Sequence, residues 1–291
     1  MVMNPNNHIS LVECPRDAMQ GWPHFITTDK KINYINALLK VGFDTIDFGS
    51  FVSPKIVPQM ADTKQLLQGL ALDSSNTKLL AIVANTRGAE EAVMYDAITY
   101  VGFPFSISPT FQLRNTNSTM DASLETVETI QNLCIKNQKQ LVIYISMGFG
   151  NPYGDVYNES LVLQWVDKIV ERNIGIVSMS DTVGLASADQ IGSILNRLIP
   201  MYTNTIIGVH LHSTPLNWKA KVDAALAAGC TRFDGALKGV GGCPMADDEL
   251  VGNMDTELMI PYFNQLNLLP HLNMNALEEC SRMAGDLFTS C

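Results

Sequence analysis

Basic charge is scarce in this chain of 291 residues: 19 Lys and Arg stand against 29 Asp and Glu, a formal net charge of −10. Binding a phosphate backbone needs a basic stripe, and no cluster of Lys or Arg forms one, so no nucleic-acid partner is expected. Long apolar runs are lacking as well, none reaching the ~18 residues of a membrane span, so no membrane partner is expected either. Met1 to His8 is polar and rich in Asn, without the apolar centre of a secretion signal. Paired cysteine motifs are missing: Cys14, Cys134, Cys230, Cys243, Cys280 and Cys291 are scattered, with no Cys-x-x-Cys. That excludes a disulfide scaffold and fits a reduced, cytoplasmic protein. Charged residues are only 16%, but 46% hydrophobic residues supply apolar mass for a large core, which excludes disorder.

What the chain does have is alternation. Short runs rich in β-branched and aromatic residues predict strands at Leu11–Cys14, Thr45–Phe48, Leu79–Ala84, Phe105–Ser108, Leu141–Ser146, Ile174–Met179, Ile206–Leu211 and Arg232–Ala236. Between them, helical periodicity predicts helices near Lys30–Val41, Gly88–Tyr100, Leu124–Lys136, Ser160–Arg172, Asp189–Pro200 and Lys219–Ala228. Ser187 with Gln190 reads as a capping box, and Gly42 and Gly229 as helix ends. Strands alternating with helices predict a parallel sheet, and eight strands close a (β/α)₈ TIM barrel, with an open doubly wound sheet as the alternative. No linker interrupts the pattern, so residues 1–291 form a single domain. The tail from Asn253 to Phe288 reads as the last barrel helix plus one extra helix, begun by Asn275 with Glu278.

In such barrels the chemistry sits where strands end. The first strand runs into Arg16 and Asp17, the second into Asp47 and Ser50, the sixth into Ser178 and Asp181, and the seventh into His210 and His212. After the eighth lies Gly241-Gly-Cys243-Pro244. Side chains two apart share one face of a strand, so both imidazoles can point into the barrel mouth, a half-built site for a divalent ion that Asp17 would complete. A hydrogen-bonded core His beside an exposed one is the plainer alternative. Arg16-Asp17 can equally be a salt-bridged strand end. Asp47 and Asp181 face either water or a functional site. Cys243 alone reads as a small buried hydrophobe, but the flanking glycines let a loop carry thiol and backbone close to a ligand. Asp29 and Asp62 read as helix starts or solvated residues. Trp22 reads as packing within reach of substrate, Trp165 and Trp218 as packing alone.

Taken in order, these segments resemble the 3-hydroxy-3-methylglutaryl-CoA lyases of the DRE-TIM metallolyase superfamily. The likeness is carried by Val12-Glu-Cys-Pro-Arg-Asp-Ala-Met-Gln20, Ser50-Phe-Val-Ser-Pro-Lys-Ile-Val-Pro-Gln-Met60, Ser178-Met-Ser-Asp-Thr-Val-Gly184, His210-Leu-His212 and Gly239-Val-Gly-Gly-Cys-Pro244. It covers nearly the whole chain. The resemblance implies a barrel, a divalent cation (Mg²⁺ or Mn²⁺), an acyl-CoA substrate and retro-Claisen cleavage to acetyl-CoA and acetoacetate; it leaves room for a homodimer. Asp17, His210, His212 and Asn253 would be metal ligands, and Arg16 would stabilise the thioester enolate. Asp17 or His210 would serve as base, and Cys243 would belong to a mobile loop closing on the ligand. Gln20, Asp47, Ser50, Ser178 and Asp181 would line the substrate pocket.

Four departures accompany the likeness. Ser213 stands where these lyases carry Asp, and Asp47 where Glu is usual. Gly21-Trp22-Pro23 is less polar than its counterpart. The segment from Met245 to Glu249 is one residue longer before Gly252-Asn253. A Claisen-condensing acyltransferase of the same superfamily, or a non-catalytic metal- or CoA-binding barrel, would be the alternative functions.

Overall fold

The computed structural model describes residues 8–73, 75–241 and 251–289. Its centre is a closed parallel barrel in sequence order: β1 (Ser10–Glu13), β2 (Thr45–Ser50), β3 (Lys78–Ile82), β4 (Ile98–Ser106), β5 (Gln140–Ser146), β6 (Ile176–Ser180), β7 (Ile206–His210) and β8 (Arg232–Gly235), with β8 pairing back onto β1. Seven of the eight strands fall close to where the alternation put them, the fourth begins at Ile98, well before the expected Phe105–Ser108, and the expected (β/α)₈ barrel is what the chain forms.

Helices fill the connections: α1 (Pro15–Gln20), α2 (Thr28–Leu39), α3 (Thr63–Gln68), α4 (Thr86–Ala92), α5 (Pro109–Thr116), α6 (Met120–Lys136), α7 (Glu159–Val170), α8 (Ala188–Met201), α9 (Trp218–Ala227), α10 (Thr256–Gln265) and α11 (Met274–Leu287). The Ser187 capping box is formed, its hydroxyl taking the Gln190 amide while the Gln190 side chain accepts from the Ser187 amide; such a cap is worth about 1 kcal/mol. Gly42 and Gly229 both adopt φ of +92°, the left-handed end their sequence positions implied.

Three boundaries differ from the sequence reading. The segment read as a helix over Gly88–Tyr100 stops at Ala92, and Ile98 already belongs to β4. Periodicity continued through Ile98-Thr-Tyr-Val101, but the β5 ladder, in register from Tyr100↔Gln140 to Ser106↔Ser146, claims those residues. Ser108, read as a strand end, caps α5 instead, accepting from the Phe111 amide with Pro109 behind it. The extra C-terminal helix is α11, but its cap is Asn273, not Asn275, with the side chain accepting from Ala276. This helix docks its end on α2 and the first loop: Phe288 meets Trp22 and Tyr34 edge-on.

The main core fills the space between barrel and helices. A second, smaller cluster of Leu80, Ile82, Val142, Tyr144 and Ile176 fills the inside of the barrel. Its members come from strands 3, 5 and 6, with Tyr100 of β4 and Val52 packed against it, while Asp47, His210 and Asp234 are polar groups of strands 2, 7 and 8. No helix among the described residues is long and apolar enough to cross a membrane.

Candidate active site

Pro15 opens α1 immediately after β1, its fixed φ suiting the first helical position. One turn then delivers Arg16, Asp17 and Gln20 to the mouth. Arg16 is buried, and its fork is fixed from two sides. Nε and Nη2 both donate to the Asp47 carboxylate on β2, while Nη1 donates to Asp17 Oδ1 (3.1 Å) and Gln20 Oε1 (2.8 Å). Among the described residues four of the five guanidinium N–H groups are engaged, leaving one on Nη2. Arg16, Asp17, Gln20, Asp47, His210 and His212 all line a cavity of about 470 Å³ at the C-terminal mouth, whose walls are apolar at Phe25, Ile56, Val57 and Phe111.

Ligand atoms of Asp17, His210 and His212 lie within 4.8 Å of one another, and the two imidazole centroids are 5.6 Å apart. The strand-face argument for the two histidines therefore holds, although His212 lies just past the last residue of β7. Asn253 arrives from the other side of the mouth by an antiparallel bridge to His212. Its Nδ2 donates to Asp17 Oδ2 (2.7 Å) and Val240 O (2.9 Å). Its Oδ1 is buried with no partner among the described residues. An orphaned amide oxygen beside a carboxylate and two imidazoles is a donor set that fits an N/O-liganded divalent ion. Gly241, at φ +121°, keeps this contact open, because a Cβ there would sit 2.3 Å from Asn253 Nδ2.

Electrostatics support the arrangement. Burial alone would raise the Asp17 pKa, but Arg16, His210 and the Asn253 hydrogen bond outweigh it and hold the group below its usual value. Burial, and then the neighbouring His210, push His212 down to about 4, so its ring is neutral at pH 7 and free to coordinate. For His210 burial works downward, but the Asp234 hydrogen bond and Asp17 raise it.

Ser50, Ser178 and Asp181 do not line this cavity. Ser50, at the end of β2, accepts from the Val52 amide, and its backbone is tied to Thr63. Ser178, on β6, is fully buried, and its hydroxyl has no partner among the described residues. Asp181 is buried in an ion pair with Lys221 (2.7 Å) and accepts from the Ala186 amide (3.0 Å), so its carboxylate is occupied by the protein. Asp62 stands at the start of α3, as one of its two readings had it, but it is not solvated: its carboxylate is buried against Lys31 (2.8 Å). Cys243 lies outside the described residues.

Three residues near the mouth were not singled out from sequence. Asp234 on β8 lies 3.4 Å from His210 Nδ1, where it can fix the ring's tautomer; its signal was a lone Asp inside an apolar run. Lys221 was hidden because lysine reads as surface, yet it sits on the buried stripe of α9 with Val222, Ala225 and Leu226. Glu13, at the end of β1, receives the Leu237 amide (2.8 Å) and the Thr256 hydroxyl (2.7 Å), and so grips both sides of the segment that carries Asn253.

Burial pushes the Glu13 carboxyl up from 4.5 to about 8, against the pull of Thr256 and Leu237. A carboxyl raised on folding stabilises most while the unfolded chain also holds its proton. Its contribution is full below about pH 4.5 and is lost as pH rises to about 8, at most about 5 kcal/mol in all. Glu13→Gln is predicted to flatten the melting temperature across that window relative to the wild type. Superimposable Tm–pH curves for the two proteins would contradict this.

Comparison with known proteins gives a consistent picture. The HMGL-like family profile matches residues 9–284. The hydroxymethylglutaryl-CoA lyase YngG of Bacillus subtilis is 31% identical over 263 residues, covering 90% of this chain and 87% of its own. A 3-hydroxy-3-isohexenylglutaryl-CoA/hydroxymethylglutaryl-CoA lyase of Pseudomonas aeruginosa is 30% identical, covering 96% and 93%. Among solved structures, an HMG-CoA lyase of Acinetobacter baumannii in complex with coenzyme A and 3-methylmalate superposes with a TM-score of 0.89 at 29% identity, covering 99% of this chain and 93% of that one.

Proposed function

Since the chain belongs to the HMGL-like family and is a carbon–carbon lyase of the hydroxymethylglutaryl-CoA lyase kind, we propose that it cleaves 3-hydroxy-3-methylglutaryl-CoA, or a closely related 3-hydroxyacyl-CoA, to acetyl-CoA and the matching oxo acid. The observation that carries this reading is the juxtaposition of a buried, fully oriented Arg16 with the Asp17, His210 and His212 cluster. We assign Asp17, His210, His212 and Asn253 as holders of a divalent ion, Mg²⁺ or Mn²⁺. When bound, that ion supplies Lewis acidity that lowers the pKa of the substrate's tertiary hydroxyl.

The rest of the chemistry falls to side chains. The hydroxyl proton must leave as the carbon–carbon bond breaks, and Asp17 and His210, adjacent at the mouth, are the bases in reach of it. The leaving fragment is a thioester enolate. Arg16 meets its charge with the free Nη2 hydrogen and with a fork that Asp47 prevents from reorganising, a stabilisation realised mainly in the transition state. Gln20, hydrogen-bonded to the same guanidinium, holds its outer edge. The apolar walls exclude water and accommodate the acyl substituent and the thioester arm. Cys243 we assign, on the family motif alone, as the proton donor to the enolate or as part of a cover over it.

The test is a coupled assay on hydroxymethylglutaryl-CoA with EDTA-treated protein. Turnover should be absent, and should return on addition of Mg²⁺ or Mn²⁺. Full activity after stripping to metal-free protein would overturn the metal assignment. No turnover of this substrate or of analogues with larger apolar C3 groups would overturn the substrate class. Cys243→Ser should lower kcat strongly at unchanged Tm; a fully active variant would remove the thiol from the mechanism.

A further inference from the structure

His212, like Asn253, is a candidate ligand outside the named strands and helices. It lies beyond β7, and the backbone hydrogen bonds beside it are made by its neighbours: the Ser213 amide to Gly252 O (3.0 Å) and the Met254 amide to Leu211 O (3.1 Å). Its own carbonyl is held from the opposite side. Lys221 Nζ donates to His212 O at 2.7 Å, to Asp181 Oδ2 at 2.7 Å and more loosely to Gly184 O at 3.4 Å. An ammonium has three donors, and each faces an acceptor. The lysine side chain is 3% exposed and the Asp181 side chain 1%, so neither is competing for water.

A lysine on the buried stripe of a helix loses its hydration, and a neutral residue of similar length would fill the space at less cost. Lys221 does not line the cavity, and its charge reaches the site only as the last-named influence on His212, opposed there by that of Asp181. What its position achieves is mechanical: one group ties α9 to the turn after β6 and to the main chain of His212. We propose that Lys221 is a positioning residue for the metal centre, fixing the His212 backbone so that the imidazole is presented to the ion. Asp181, on this account, serves as the anchor that holds the ammonium in place. The inference rests on the metal assignment above and adds to it a residue that touches neither ion nor substrate.

Outer partners that orient metal ligands typically cost 10- to 100-fold in affinity when removed. Lys221→Met alone leaves Asp181 buried and unpaired, which threatens folding. The decisive protein is therefore Lys221→Met/Asp181→Asn, where the amide oxygen can still accept from Ala186 and no charge is stranded. Mn²⁺ dissociation constants would be read by electron paramagnetic resonance of free Mn²⁺ on metal-free protein, with Tm measured beside them. The double variant should melt close to the wild type yet bind Mn²⁺ at least about 10-fold more weakly. Binding within twofold of the wild type would overturn the proposal, leaving Lys221 as a mere counter-ion to Asp181. A wild-type chain that takes up no Mn²⁺ would instead overturn the metal assignment on which the proposal stands, so the two failures are distinct.

Discussion

Arg16→Lys is expected to lower kcat by about 10²- to 10³-fold, the range typical of a lost oxyanion donor, while KM for the acyl-CoA moves far less. Lysine keeps the charge and loses the planar fork. In the wild type that fork spends Nε and one Nη2 hydrogen on Asp47 and both Nη1 hydrogens on Asp17 and Gln20, so its orientation is over-determined. An ammonium cannot satisfy Asp47, Asp17 and Gln20 together and still reach the enolate. Steady-state kinetics on the purified variant, with a circular-dichroism check of folding, decide the matter. A loss confined to KM would make Arg16 a binding residue and withdraw its role in the transition state.

His212→Ala is expected to weaken Mn²⁺ binding by more than about 100-fold, beyond what loss of an outer partner costs, and to abolish turnover at micromolar metal. Removing the ring takes away a donor that burial and His210 keep neutral. It also leaves Asp17 and His210 facing a gap. Raising Mn²⁺ to millimolar should recover part of the rate, because the remaining ligands still converge. Unchanged Mn²⁺ affinity in the variant would remove His212 from the ligand set.

The barrel was legible because its signal is repetitive: eight apolar runs separated by capped helices leave few other ways to bury them. The mouth was legible where one strand end supplied neighbouring groups, as with Arg16 and Asp17 or His210 and His212. It was illegible where function depends on contacts between distant elements. Asp181 follows a strand end like the others but is claimed by a lysine from α9, and Ser178, read as a strand end, is fully buried in the middle of β6. Glu13 looked like an ordinary member of the first motif; its grip on Leu237 and Thr256 spans most of the chain, and no periodicity reports it. Short helices such as α1 and α3 escaped for a simpler reason, since six residues are too few to show a period.

The antiparallel bridge between His212 and Asn253 makes two donors of the proposed centre parts of one backbone unit. Linkage then works in both directions: if opening that unit weakens the ion, the ion must oppose opening by the same factor. The amides of Ser213 and Met254, which close the bridge onto Gly252 O and Leu211 O, become reporters of occupancy. Their hydrogen–deuterium exchange should slow as Mn²⁺ is titrated in, while amides of the β4–β5 ladder stay unchanged. Occupancy can thus be followed residue by residue without any catalytic turnover.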